Sequence, residues 1–238
     1  MIEIQHYTKK FQKFTALENI NLSLNKGEAI ALIGPNGCGK TTLIKSILGL
    51  NVVKDGDIKV LGKSVKEDFD YRENIGYMPQ VGKYPENMTI EQTLKMIKDV
   101  RKIPDSELDL ELLHAYNLPE IYDKKIRTLS GGTTQKVSAV LTFMFNPQII
   151  ILDEPTAGLD PLASEILKQK ILKEKAKGKL IIITSHLLAE LEDIISQVVF
   201  MKEGKILVHQ SVDELKQQTQ SLRVSEAIVS ILKQMSHE

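Results

Sequence analysis

The chain lacks the means for a covalent framework: its 238 residues include one cysteine, Cys38. No disulfide can form within it, and a reducing compartment fits that usage. It has no long greasy stretch. The runs Ile149 to Leu152 and Leu180 to Ile183 are far too short to span a bilayer, so work at a membrane would require another chain to cross it. The start, Met1-Ile2-Glu3-Ile4, has neither a basic region nor a long apolar one, so no secretory signal is expected. The chain also lacks a charge of one sign, since 31 Lys and Arg balance 31 Asp and Glu. That balance lowers the expectation of a general attraction to nucleic acid or anionic lipid. There is no internal repeat and no low-complexity tract. What remains is an ordinary globular composition, 42% hydrophobic and 26% charged, long enough for one sizeable core or for one core with a satellite subdomain.

The apolar pattern divides the chain into thirds. In the first, Ile2 to Gln5 and Ile20 to Leu24 alternate like half-buried antiparallel strands. Glu28 to Ile33 is a more continuous apolar strand that runs into a glycine loop, Thr41 to Leu48 has helical spacing and stops at Gly49, and Gly56 to Leu61 and Asn74 to Met78 read as further strands. In the second, Thr89 to Val100, Ser106 to Tyr116 and Gly131 to Phe145 read as helices, with Thr89 and Gln92 forming a capping-box pattern. In the last third, strand Gln148 to Leu152, helix Pro161 to Lys175, strand Leu180 to Thr184 and helix Leu187 to Asp193 alternate, which predicts a parallel sheet covered on both faces. A hairpin is expected about Glu203-Gly204, and the tail from Val212 has the spacing of a helix docked on the body. The expected organisation is a single domain over 1–238: a core with an antiparallel β subdomain over 1–80 and 146–210, a helical subdomain over 81–145, and a helical tail over 211–238.

The loop Gly34-Pro35-Asn36-Gly37-Cys38-Gly39-Lys40-Thr41 has the spacing GxxxxGK[ST] between a predicted strand and a predicted helix. Backbone N–H groups must turn inward around an anion there, and side chains would block the approach. The following helix, which carries Thr41 and Thr42 in its first turn, aims its positive end at the phosphates. Lys40 supplies a charge to the β- and γ-phosphates, and the Thr41 hydroxyl suits Mg²⁺. Cys38 reads as a space-filling residue. The second acidic motif is an apolar strand, Ile149 to Leu152, ending in Asp153 and Glu154. Asp153 suits Mg²⁺ through its water shell, and Glu154 suits the polarisation of an attacking water.

These two motifs specify only a P-loop NTPase; four further motifs and an aromatic position narrow it. Leu129-Ser130-Gly131-Gly132-Thr133 resembles the signature of ABC ATPases, Gln80 their Q-loop glutamine, Ala157-Gly158-Leu159-Asp160 their D-loop, and His186 their switch histidine; Phe11 stands where the family places its adenine-stacking aromatic. Alone, a Ser-Gly-Gly is ordinarily a turn or helix cap, and a Phe or a His after a strand is ordinarily structural. The joint order, held from about residue 2 to residue 210, overturns that reading. Thr133 departs from the family's usual Gln and is expected to be tolerated; Phe11 replaces the commoner Tyr.

The resemblance implies an α/β P-loop NTPase of the ABC ATPase fold: an N-terminal antiparallel β subdomain, a RecA-like parallel-sheet core and a helical signature subdomain. It implies an ATPase with ATP and Mg²⁺, working as a head-to-tail dimer, expected to be a homodimer. One protomer would hold ATP through Phe11, residues 34–42, Gln80, Asp153, Glu154 and His186, with Thr41, Gln80 and Asp153 on the metal. The other would close over the γ-phosphate with Ser130, Gly131 and Gly132, and Asp160 would lie across the interface. It further implies an integral membrane permease as partner and a place on the cytoplasmic face of the membrane. A soluble ABC ATPase acting on nucleic acid would carry long coiled-coil insertions, two cassettes or a basic surface, none of which is visible. A non-ABC P-loop switch or kinase is opposed by Ser130-Gly131-Gly132 and His186. The runs 129–139 and 153–161 look most like the ABC-2 exporter group, in particular the ATPase of Nos-type systems that serve copper-site maturation of nitrous oxide reductase. No copper-ligand cluster is expected here, because cargo meets the membrane subunit.

Overall fold

A computed structural model describes residues 1–185 and 192–235. It divides into two compact units, residues 1–71 with 180–238, and residues 72–179.

The first unit carries two sheets. One has the order β2-β1-β4-β5, built from β1 (Ile2–Phe11), β2 (Phe14–Leu24), β4 (Asp55–Val60) and β5 (Lys63–Ser64). β1 and β2 run well beyond the alternating segments read from the sequence, because bulges interrupt the period of two. His6 and Asn19 sit at φ 48° on opposite strands, and the register shifts between Ile4 and Tyr7 and again near Lys9. The inward face nevertheless holds, with Ile2, Ile4, Tyr7, Leu17, Ile20 and Leu24 all buried. The second set of strands runs β10-β9-β3-β8: β3 (Ala29–Ile33) pairs in parallel with β8 (Leu180–Thr184) and with β9 (Gln197–Lys202), and β9 pairs antiparallel with β10 (Lys205–Ser211). Every residue of β3 and β8 is buried, which accounts for their unbroken apolar runs. The β9–β10 turn has φ 50° at Glu203 and 77° at Gly204, the double left-handed pattern a tight hairpin requires. α1 (Lys40–Ile47) follows β3, and α6 (Val212–Thr219) and α7 (Val224–Met235) form the tail, α6 opened by a Ser211/Glu214 capping box.

The second unit pairs β6 (Ile75–Met78) in parallel with β7 (Ile149–Asp153) and carries α2 (Ile90–Arg101), α3 (Glu111–Ala115), α4 (Gly131–Phe143) and α5 (Pro161–Ala176). α2 begins at the predicted Thr89/Gln92 capping box. α4 lies against β6 at backbone distance, since a Cβ at Gly76 would stand 2.2 Å from the Thr142 carbonyl oxygen. The helix expected over Ser106 to Tyr116 is instead a 3-10 turn at Asp105–Glu107 and the short α3, with Leu108 extended between them. The reason is tertiary. Asp109 accepts from the Glu111 backbone N–H at 3.1 Å and donates its own N–H to the Met144 carbonyl at 2.8 Å. Its carboxylate meets the Lys170 ammonium of α5 at 2.5 Å. The helix expected from Leu187 lies almost wholly outside the described residues, and Glu192 to Ile194 form a turn. No described helix is long and apolar enough to cross a membrane.

Candidate nucleotide site

The glycine loop sits where β3 ends and α1 begins, and its shape is set by backbone. Gly34, Gly37 and Gly39 have φ of +147°, +79° and +109°, conformations that side chains disfavour. A Cβ on Gly34 would stand 2.1 Å from the Met201 carbonyl oxygen of β9, and one on Gly39 would stand 2.9 Å from the Ala16 carbonyl of β2. The loop is thus wedged between two strands of its own unit. The β9–β10 turn braces it from outside: Gly204 donates to the Cys38 carbonyl at 3.0 Å and accepts from the Glu18 N–H at 2.9 Å. That brace is not visible in the sequence, because Gly204 lies far along the chain and reads only as a turn residue. Cys38 is buried, filling space beneath the loop.

α1 starts directly behind. Its N-cap is Gly39, which offers no side chain to its first amides, and its first turn, with Lys40, Thr41 and Thr42, carries no acidic residue. An uncapped helix start is a place for an anion. The Lys40 ammonium donates to the Gly34 and Pro35 carbonyls at 2.7 and 3.2 Å, so it lies over the loop. Thr41 is exposed at the helix start, and Pro35, Asn36 and Gly37 are exposed along the rim. Phe11 ends β1 at the hairpin tip; its ring is 47% exposed, with the Lys9 ammonium 5.1 Å from its centroid. It is available for stacking and is not a core residue.

The second unit carries most of the remaining residues. β7 buries Asp153 at its last position, 7% exposed. Tyr77, across the β6–β7 pair, has its phenol pushed up to about 12, first by burial and then by the negative charge of Asp153. Glu154 follows at φ 51°, a left-handed conformation that a non-glycine residue holds at a cost, as functional positions often do. Gln80 lies exposed two residues beyond β6. Ser130 is the N-cap of α4 and accepts from the Thr133 N–H at 3.2 Å. The Thr133 hydroxyl lies 2.9 Å from the Ser130 hydroxyl, so the residue that departs from the family pattern supports the serine. Gly132 is needed for close approach, since a Cβ there would be 2.6 Å from the Gly158 carbonyl. Asp160 caps α5 by accepting from the Ala163 N–H at 2.8 Å and pairs with Lys136 of α4 at 2.8 Å. Both interactions hold its carboxyl below the usual range, the lysine most. Thr133 stands out in the sequence only as a departure; its hydroxyl contact with Ser130 and the Lys136–Asp160 pair leave no mark in the spacing. His186 lies outside the described residues.

In the second unit the donor chemistry suits a hard cation, since the Gln80 amide and the Asp153 and Glu154 carboxylates are oxygen donors. Among the described residues no group of three or more His, Cys, Asp or Glu side chains could hold a metal by itself, so a divalent ion would also need phosphate and water oxygens.

The family model described as "ABC transporter" matches residues 17–157. The lantibiotic transport ATP-binding protein SrtF of Streptococcus pyogenes is 33% identical over 213 residues, covering 90% of this chain and 92% of SrtF. The ABC transporter ATP-binding protein YhaQ of Bacillus subtilis is 31% identical over 220 residues, covering 91% of this chain and 73% of YhaQ. A solved structure of an ATP-binding subunit of an ABC transporter superposes with a TM-score of 0.91 at 28% identity, covering 98% of this chain and 99% of that one.

Proposed function

The chain belongs to the ABC transporter family as an ATP-binding, ATP-hydrolysing subunit, and from that premise we propose how its residues divide the work. The observation that carries the reading is the loop from Gly34 to Thr41: three left-handed glycines, an uncapped helix start without acidic residues, and a lysine amine lying over it. ATP phosphates occupy this cradle, held by backbone N–H groups and by Lys40 on the β- and γ-phosphate oxygens. Phe11 stacks on the adenine. Thr41, Gln80 and Asp153 would hold Mg²⁺, which would supply positive charge to offset the negative charge that develops in the transition state. Glu154 polarises the water that attacks the γ-phosphorus as the bond to the β-phosphate oxygen breaks, and His186 stabilises the γ-phosphate.

Two copies of the chain pair head to tail. Ser130, Gly131 and Gly132 of one copy close over the γ-phosphate held by the other, and Asp160 lies at the interface. Apposed protomers are held by a shared anion neutralised from both sides; hydrolysis removes it and the pair loosens, a population shift set by differential binding. A separate membrane permease receives that motion on the cytoplasmic face. Its contact is the cleft of about 710 Å³ in the second unit, lined by Gln80, Val81, Tyr84, Arg127 and Thr134. Nucleic acid is not a partner in this reading. Within transporters, the runs 129–139 and 153–161 favour the ABC-2 exporter group; a Nos-type copper role would be supported by a periplasmic repeat protein and a copper reductase encoded alongside.

ATPase assays of the chain with its permease test the assignment. Glu154→Gln is expected to bind ATP and to hydrolyse it at least about a hundredfold more slowly. Lys40→Ala is expected to lose binding or turnover by a similar factor. Near-normal turnover in the first removes Glu154 from its role, and in the second removes the phosphate cradle.

A further inference from the structure

We propose that Lys136 is a positioning residue for hydrolysis: its ion pair with Asp160 fixes the Ser130 end of α4 against the loop that carries Glu154. This rests on the site reading above and adds a residue to it.

The loop from Glu154 to Asp160 leaves β7 and enters α5. α4 touches it at three levels. At Gly132 the two backbones are in contact, since an added Cβ would be 2.6 Å from the Gly158 oxygen. Gln135, 4% exposed, donates its amide to the Pro155 carbonyl at 3.5 Å. Lys136 meets Asp160 Oδ2 at 2.8 Å. Positions 132, 135 and 136 are spaced i, i+3, i+4, so they share one face of the helix.

An exposed ion pair contributes little to stability, and the Asp160 side chain is 53% exposed, but the partners of both groups fix the geometry of this one. Asp160 uses both carboxylate oxygens: Oδ1 caps α5 through the Ala163 N–H at 2.8 Å and Oδ2 takes the lysine. The Lys136 side chain is only 25% exposed, and its ammonium stands 5.8 Å from the Tyr116 ring centroid. Tyr116 in turn donates its buried hydroxyl to the Ala163 carbonyl at 3.1 Å. The Asp160 carboxylate and the Tyr116 ring, both tied to the start of α5, therefore hold the ammonium. The consequence is positional. Ser130 serves one nucleotide and Glu154 the other, and within one chain this latch sets the distance between them. Releasing it leaves both groups present and their register loose, and small misplacements of catalytic groups cost rate steeply.

The test is steady-state ATPase of the chain in its permease complex, with nucleotide affinity of the isolated chain and its melting temperature measured alongside. Lys136→Met removes the charge and keeps the stem. Asp160→Asn removes the charge and keeps a capping residue. Both are expected to lower kcat about tenfold and to flatten the cooperativity of turnover with ATP concentration, with affinity for a fluorescent ATP analogue within about twofold and the melting temperature unmoved. Lys136→Arg, which keeps the charge and reach, is expected to retain the wild-type rate. Wild-type kcat and cooperativity in Lys136→Met overturn the latch. A loss of rate matched by a fall in melting temperature in Lys136→Met, with Asp160→Asn normal, also overturns it, because the lysine then serves the fold. If Lys136→Met does not fold, Lys136→Gln, which also removes the charge, decides. The site reading fails separately, through an inactive wild-type complex or an active Glu154→Gln.

Discussion

The glycine loop of the first unit and the Ser130 end of α4 in the second each present a helix N-terminus, and they are built from different materials. At α1 the cap is Gly39 and the shape comes from three positive φ angles and carbonyls that exclude any Cβ. At α4 the cap is a serine already engaged by the Thr133 N–H and hydroxyl, and the surrounding geometry is held by side chains: Gln135, Lys136 and Asp160. The second unit is held elsewhere by the same means. Lys170, 1% exposed, meets Asp109, Glu111 and Glu174 at 2.5, 2.9 and 3.1 Å, and Lys177 and Lys179 also pair with Glu174. A backbone-built site tolerates almost no substitution. A side-chain-built one fails by degrees, according to how deeply the altered group is buried.

The sharpest break is expected at Lys170. Burial alone would discharge it, but its three carboxylate partners more than offset that, and its pKa lies above the usual lysine range. Lys170→Met leaves Asp109 without its lysine and removes one of the three lysines on the buried Glu174, and is expected to cost about 3–5 kcal/mol in denaturant unfolding. Next is Gly34→Ala, which drives a methyl group toward the Met201 carbonyl in a backbone conformation hostile to alanine. A loss of about 1–3 kcal/mol is expected, together with loss of ATP binding by calorimetry. An alanine variant that binds ATP normally would show that the loop is not set by its backbone.

A pH series sharpens the contrast. Burial raises Glu174, but Lys177, Lys179 and Lys170 pull it down to about 2, and Lys173 with Lys170 lowers Glu111. Carboxylates depressed on folding contribute stability that is full above their unfolded pKa, near 4.5, and is lost as pH falls toward about 2. Wild type is therefore expected to lose melting temperature over that window, and Lys170→Met to lose less. The smallest effect belongs to Thr133→Val, which removes the hydroxyl partner of Ser130 and leaves the Thr133 N–H cap. It is expected to cost about 0.5–1.5 kcal/mol at most. A hundredfold loss of turnover there would make the hydroxyl pair a catalytic feature.

The same contrast decides what was legible in the sequence. Local backbone demands leave a local mark. The glycine spacing gave α1, which starts at Lys40 against an expected Thr41, and the capping box gave α2. The acidic strand, the Glu203-Gly204 turn and α5 were readable in the same way. Demands met by distant partners leave none. The break at Leu108 depends on Lys170, 61 residues from Asp109, and the Lys136–Asp160 pair spans 24 residues. The opposed bulges at His6 and Asn19 cut the alternation that marks a strand, so β1 and β2 looked shorter than they are.

The central claim is that one copy's Ser-Gly-Gly end completes the phosphate site of another. Light scattering on Glu154→Gln with and without ATP tests it most directly. The account predicts twice the mass of one chain with ATP, and one chain when Ser130→Arg is added. A Glu154→Gln protein that binds ATP and stays a single chain at every concentration would contradict it.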